Sequence, residues 1–281
     1  MSRVAIIGAG NLGSFLAAHL TLAGHEVFFC VRRAVHEMRI EGLAPVRVPY
    51  YLEDPPPADV VLLTVKVHDT PSAMRWLESL CREGQPVAVI QNGVHHAERV
   101  RPYRAIPVLS YVYIEAKDGV HRAFAPPLAH FTAPAGEQSA QFVLLFAGTS
   151  IQVHMEPEFH TAAWRKMLHN CVSNPLTALA GRGLEILAEP DYRAWAERIL
   201  EEAVPIAIAD GAKLSAEDAA MVLNVLASYP AGTRTSMLQD RERGKRMEVD
   251  ALNGALVKLG RRYGRPTPVN EELVARLVNQ A

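Results

Sequence analysis

The opening stretch MSRVAIIGAGNLGSFLAAHLTLAGHEVFFCVRR limits the fold more than any other part of the chain. Val4-Ala5-Ile6-Ile7 is a short, wholly apolar run, the pattern of a strand buried on both faces. Gly8, Gly10 and Gly13 follow in the spacing G-x-G-x-x-G. Ser14 to Leu20 then reads as a helix with Gly24 as its C-terminal cap, and His25 to Val31 as a second strand. Each glycine has a separate task in such a unit. Gly8 makes the tight turn, Gly10 lets the backbone approach a pyrophosphate, and Gly13 lets the helix pack against the strand. The helix N-terminus offers unpaired N–H groups to the same anion. As a bare spacing the glycines are a weak signal; between a strand and a helix they specify a dinucleotide.

The end of the second strand selects which dinucleotide. NAD binders place a carboxylate there to take the ribose hydroxyls. This chain has Arg32 and Arg33, and a guanidinium holds a 2′-phosphate that a carboxylate would repel. The expected cofactor is therefore NADP(H).

Composition removes other classes. A net charge of −1 over 281 residues argues against a nucleic-acid surface. No apolar run reaches transmembrane length, so no membrane partner is expected, and the first apolar stretch reads as a strand rather than a signal peptide. Cys30, Cys81 and Cys171 are scattered, without C-x-x-C, which fits reduced thiols and a cytoplasmic location. No cluster has metal-ligand spacing, and the adjacent side chains of His95 and His96 diverge, so no metal is expected. At 49% hydrophobic and 21% charged residues, the chain has material for two globular domains.

Residues 34–57 are irregular and proline-rich, with a short strand expected from Val46 to Leu52. Asp59 to Val65 is a continuous apolar run ending at Lys66, and a helix is expected over Thr70 to Arg82 with Pro71 in its first turn. Pro86 to Ile90 is the next strand. It runs into Gln91-Asn92-Gly93-Val94, a turn where a helix should begin. Ala105 to Tyr113 is another strand, with lighter strand signals over 119–133 and 141–153. Strands alternating with helices make a doubly wound parallel sheet, and Arg32, Lys66 and Asn92 all fall beyond strand C-termini, where such sheets bind ligands.

From about Glu156 the pattern is helical to the end. A helix opens at Glu158 and should turn or kink near Asn174, ahead of Pro175. Helices are expected at 190–210, at Ala216 to Tyr229 (Ser215 as N-cap, Asp218 three residues on), at 244–262 and at 270–279; Thr235 to Asp240 reads as a connector. Lys166, Asn170 and Asn174 are each four apart, which on a helix puts all three on one face. One cation and two amides flanked by Trp164, Met167 and Leu168 suit a carbonyl substrate, whose reduction needs a proton donor at the oxygen. On pattern alone Ser236 and Glu248 are ordinary surface residues.

Several blocks resemble ketopantoate reductases (2-dehydropantoate 2-reductases): Gly8-Ala9-Gly10-Asn11-Leu12-Gly13, Thr64-Val65-Lys66, Gln91-Asn92-Gly93, Trp164 to Leu179, Ser236 to Asp240, and Glu248 to Gly254. The resemblance covers nearly the whole chain. It implies a Rossmann domain over 1–156 and an all-α domain of the 6-phosphogluconate dehydrogenase-like type over 157–281. The reaction it implies is NADPH-dependent reduction of 2-dehydropantoate to pantoate, toward coenzyme A. By residue, it implies Lys166 as proton donor; Asn92, Asn170, Asn174, Ser236 and Glu248 toward substrate; and Gly8, Ala9, Gly10, Asn11, Leu12, Gly13, Arg32, Lys66, Asn92 and Glu248 toward cofactor. One departure is Leu184, where a substrate-contacting asparagine is often found, so another branched 2-oxo acid is the alternative substrate. A non-catalytic NADP(H) sensor and a structural dimerisation module are the other readings; a sensor would have no need of the proton donor. The helical domain is the candidate surface for a homodimer.

Overall fold

The computed structural model describes residues 1–35, 37–82, 84–124 and 130–279. The chain divides into two compact units: Met1–Gln91 with His95–Phe159, and Asn92–Val94 with the residues from His160 onward.

In the first unit, β1 (Arg3–Ile7) pairs in parallel with β2 (Glu26–Cys30), and β2 with the two-residue β4 (Tyr50–Tyr51); β3 (Arg39–Ile40) lies apart from them. On its other side β1 pairs with β5 (Val60–Leu63), followed by β6 (Val87–Ile90) and β7 (Ala105–Ser110), all parallel. The order β4-β2-β1-β5-β6-β7 reverses direction at β1, which is the dinucleotide-fold topology. Alternate residues face opposite ways. Val4 and Ile6 pack with Phe15, Leu16 and Leu20 of α1 (Asn11–Leu22) on one face, while Ala5 and Ile7 pack with Trp76, Leu77 and Leu80 of α2 (Thr70–Leu80) on the other. Burial on both faces is why these strands read as unbroken apolar runs. β8 (Tyr113–Lys117) and β9 (Val120–Phe124) join β3 in a small second sheet. β10 (Phe131–Pro134) extends the main sheet antiparallel to β7, and β11 (Val153–Glu156) lies parallel to β10.

Several expectations are corrected. The strand expected over 46–52 reduces to Tyr50–Tyr51, with Val46 bridging Met38. The signal over 119–133 is two strands, with 125–129 outside the described residues. The stretch 141–153 is not a strand: α3 (Glu137–Leu144) occupies its start. Phe142, Leu145 and Phe146 are buried at helical spacing, and Phe142 and Phe146 meet edge-on at 5.2 Å between ring centroids. After Gln91 the chain makes only a 3₁₀ turn, His96–Val100, instead of an α-helix.

The second unit is built on α4 (Phe159–Ala180), which continues as helix through Pro175 instead of ending in a turn before it. Proline inside a helix costs about 3 kcal/mol or more, partly because the carbonyl four residues back loses its donor. Here that carbonyl is Cys171, and Asn253 Nδ2 donates to it at 2.9 Å. The replacement bond contributes on the order of 1 kcal/mol. α5 (Pro190–Ala209) and α6 (Ala216–Ala227) lie where expected, and α6 carries a complete capping box between Ser215 and Asp218. The connector is corrected to a short helix, α7 (Ser236–Glu242), capped by Thr235, with Met237 and Leu238 buried. At seven residues it is held by that burial, not by propensity. The single helix expected over 244–262 is corrected to a 3₁₀ turn, Val249–Ala251, then α8 (Asn253–Arg262); Leu252 leaves the helical region at φ −109°, ψ −97°. α9 (Pro268–Val278) closes the chain. Among the described residues no helix is long and apolar enough to cross a membrane.

Candidate active site

In the first unit the glycine turn is held from below by Thr64, at the end of β5. Its hydroxyl lies 3.1 Å from the Ile7 carbonyl and 2.8 Å from that of Gly8. Gly8 sits at φ +106°, a conformation L side chains rarely adopt, and a Cβ there would meet Val65 Cγ1 at 2.7 Å. A Cβ on Gly13 would lie 2.0 Å from the Gly8 carbonyl oxygen. Both glycines are thus required by the protein's own packing. Gly10 is different: it is extended at φ −72°, ψ −173°, and a Cβ on it would meet nothing within 4 Å. Nothing among the described residues accounts for that glycine, whereas a pyrophosphate lying against the backbone would. α1 begins directly after Gly10 with no side-chain cap and no acidic residue in its first turn, which suits an anion. Asn11 bonds the Ile114 carbonyl at 3.0 Å, and Ala9 and Leu12 pack against the core.

Arg32, past the end of β2, pairs through Nη2 with Asp69 Oδ1 at 3.1 Å and remains largely exposed. Lys66 is extended at the end of β5 and opens the 3₁₀ turn Val67–Asp69 that carries Asp69. The first unit therefore places Arg32 and this turn beside one another. Gln91 ties the ends of β5 and β6: its Nε2 donates to the Val65 carbonyl at 2.8 Å and to Thr70 Oγ1 at 2.9 Å. His96 is buried against the Gln91 carbonyl at 2.9 Å, and His95 lies 3.9 Å from Glu98. Among the described residues no group of three His, Cys, Asp or Glu could hold a metal ion.

The second unit gathers the remaining polar residues. Trp164 is fully buried with Nε1 on Asp210 Oδ2 at 2.8 Å, and Arg165 bonds Asp218 of the α6 capping box at 3.0 Å. The two residues before Lys166 are fastened to neighbouring elements, which fixes the face Lys166 occupies. Asn92 Nδ2 donates to Glu248 Oε2 at 3.2 Å, and Asn170 Nδ2 reaches Asn92 Oδ1 in a long 3.5 Å bond. Burial lowers the Lys166 ammonium from its ordinary 10.5 to about 8, against the opposing pull of Glu248. One turn on, burial holds His169 near 4, with Lys166 adding to the shift, so this imidazole stays neutral and adds no second cation. His169 meets Tyr229 edge-on at 5.7 Å.

Asn174 is buried, and no group among the described residues bonds its carboxamide. Ser236 is the exposed first residue of α7. That helix is pinned to α4 because Thr235 Oγ1 lies 2.6 Å from Thr177 Oγ1, just under one turn past Asn174. Lys166, Asn170 and Asn174 do share α4, and the fold adds Asn92, Ser236 and Glu248 to the same unit. Leu184 is buried in the 3₁₀ turn Leu184–Ala188 with its N–H on the Thr233 carbonyl at 2.9 Å. Sequence reasoning gave no role to Asn253, although it lies in the Glu248 to Gly254 block.

Known proteins match along the whole chain. The family described as Ketopantoate reductase PanE/ApbA matches residues 4–118, and its C-terminal counterpart matches residues 158–280. A 2-dehydropantoate 2-reductase of Mycobacterium tuberculosis is 34% identical, over 98% of this chain and 96% of its own length. One from Caulobacter vibrioides is 31% identical, over 99% and 98%. A dimeric ketopantoate reductase from Staphylococcus aureus superposes with a TM-score of 0.87 at 23% identity, covering 99% of this chain and all of that one.

Proposed function

The chain belongs to the ketopantoate reductase family, and from that premise we propose that it reduces 2-dehydropantoate to pantoate with NADPH. The observation that carries the reading is the group Lys166, Glu248, Asn92 and Asn170: a half-buried ammonium with a lowered pKa in one unit with a carboxylate and two carboxamides. NADPH, when bound, supplies the hydride. The first unit, Met1–Gln91 with His95–Phe159, would hold it with its pyrophosphate over Gly10 and the N-terminus of α1 and its 2′-phosphate on Arg32, which must then release Asp69. The helical unit, Asn92–Val94 with the residues from His160 onward, manages the substrate. Lys166 gives its proton to the ketone oxygen as the alkoxide develops. Asn92, Asn170 and Asn174 hold the substrate's polar groups, Ser236 its carboxylate, and Glu248 orients Asn92 and favours the charged form of Lys166.

The test is NADPH oxidation with ketopantoate beside a panel of other branched 2-oxo acids, repeated with NADH. Saturable turnover on ketopantoate with NADPH preferred is expected; equal or better kcat/KM with NADH would overturn the role of Arg32. The pH profile follows from Lys166. The proton donor is charged below about pH 8, so kcat/KM should hold up to that pH and fall above it. Glu248→Gln removes a charge that raises the Lys166 pKa, so the fall should move to lower pH. A profile flat through pH 9 would remove Lys166 as the donor.

Leu184 favours a second reading, in which the acid is a different branched 2-oxo acid. Its apolar side chain supplies no hydrogen bond where the family often has one, a difference of about 0.5–1.5 kcal/mol. The substrate panel decides between them. A cytoplasmic location fits the three buried free thiols. A homodimer through the helical unit is supported by the dimeric relative and by exposed Met221, Val225 and Tyr229 on and just beyond α6. Light scattering giving a monomer mass would exclude it.

A further inference from the structure

The bond that replaces the missing N–H of Pro175 does more than repair a helix. Cys171 follows Asn170 on α4, within the stretch that bears Lys166, Asn170 and Asn174. Asn253, which donates to its carbonyl, ends the segment that begins at Glu248. Between them the backbone is a tight 3₁₀ turn, with Ala251 N–H on the Glu248 carbonyl at 3.1 Å and Leu252 N–H on that of Val249 at 3.3 Å. A displacement of Asn253 therefore displaces Glu248.

Asn253 is itself anchored on its far side. It is fully buried, and its Nδ2 also donates to Asn270 Oδ1 at 2.9 Å. Asn270, equally buried, donates from its backbone and its carboxamide to Glu202 Oε2 at 3.0 and 2.6 Å, and Val269 N–H takes Glu202 Oε1 at 2.8 Å. The chain Glu202–Asn270–Asn253 thus joins α5, α9 and α8 to one carbonyl of α4. That carbonyl is available only because residue 175 is a proline; any other residue would offer it an N–H. The network is held through its donors, Asn253 Nδ2 and the Asn270 backbone and carboxamide N–H groups, while Asn253 Oδ1 is buried with no partner among the described residues.

We propose that Pro175 and Asn253 act as a pair, a vacant helix carbonyl and the side chain that takes it, and that Asn253 is a positioning residue setting Glu248 against Lys166. Its role in turnover rests on the proposed reductase activity. Its geometric content does not, and the test separates the two.

Asn253→Ala is compared in the natural background and in Pro175→Ala, which returns an N–H to Cys171. Three quantities are read: Tm, kcat on ketopantoate, and the pH dependence of Lys166 labelling by fluorodinitrobenzene, followed on its peptide by mass spectrometry. Glu248 and His169 both act electrostatically on Lys166, and burial holds His169 near 4, so this imidazole is neutral where Lys166 titrates. In the natural background Tm should fall, kcat should fall about ten- to a hundredfold, the scale of a misplacement of 1 Å or less, and Lys166 should titrate at lower pH as Glu248 drifts away. In Pro175→Ala the Tm cost of losing Asn253 should shrink, while the loss in kcat and the shift in Lys166 titration persist. If kcat and the Lys166 titration recover along with Tm, Asn253 is merely structural and the proposal fails. If Lys166 titrates unchanged in both backgrounds, it also fails. Should the natural chain turn over no 2-oxo acid, the reductase reading falls, and the labelling arm still decides whether Asn253 positions Glu248.

Discussion

Lys166→Ala should lose about 10²–10⁴ in kcat on ketopantoate, the usual yield of a positioned general acid, with Tm and circular dichroism essentially retained. The fold should survive because Lys166 is only half-buried and its burial works against its charge, as its lowered pKa records. The anchors of this part of α4 are its neighbours: Trp164, fully buried on Asp210, and Arg165, bonded to Asp218. Removing the ammonium leaves both in place. The developing alkoxide would lose its proton source, and the Asn92 and Asn170 carboxamides can donate hydrogen bonds but no proton at neutral pH. Because this contribution arises only as charge forms on the oxygen, kcat should fall with little change in KM. Turnover within a factor of a few of the natural enzyme would end the assignment of Lys166.

The second large effect separates two glycines that look alike in the sequence. Gly10→Ala should leave Tm unchanged or slightly raised, since its backbone suits any residue, the added methyl meets no atom of the described residues within 4 Å, and the unfolded chain loses freedom. The same methyl lies in the space assigned to the pyrophosphate, so the Kd for NADPH should rise tenfold or more, about 1.4 kcal/mol per decade. Gly13→Ala should do the opposite first. Its Cβ would sit 2.0 Å from the Gly8 carbonyl oxygen, so α1 must shift off β1 and Tm should drop sharply. Titrating NADPH into each variant by nucleotide fluorescence, with Tm in parallel, checks both. Natural affinity in Gly10→Ala would place the pyrophosphate elsewhere.

The first unit was legible because its signals are local. A strand buried on both faces is a continuous apolar run, as Asp59 to Val65 and Pro86 to Ile90 are, and the glycine turn joins elements adjacent in sequence. Readings failed where periodicity was short or ambiguous. The stretch 141–153 has few polar residues to separate alternation from helical spacing, and α7 is too brief to carry a pattern and is held by tertiary burial.

The candidate site divides the same way. The i, i+4 spacing of Lys166, Asn170 and Asn174 follows from helix geometry and needs no fold to be seen. What brings Glu248 and Asn92 to that face is pairing across distances in sequence that no local rule spans, the two standing 156 positions apart. Pro175 makes the division plain. Read locally, it forbids a continuous helix, because a proline withdraws a donor from the carbonyl four residues back. Only the folded chain supplies the substitute, Asn253, from far along the sequence, and so turns a helix breaker into a fixed point of the site. The sequence by itself determined the buried strands, the glycine turn, the long helices and the chemistry they can carry; tertiary structure decided the short elements such as α7 and which distant side chains complete that chemistry, because burial and hydrogen bonds depend on proximity in space and not along the chain.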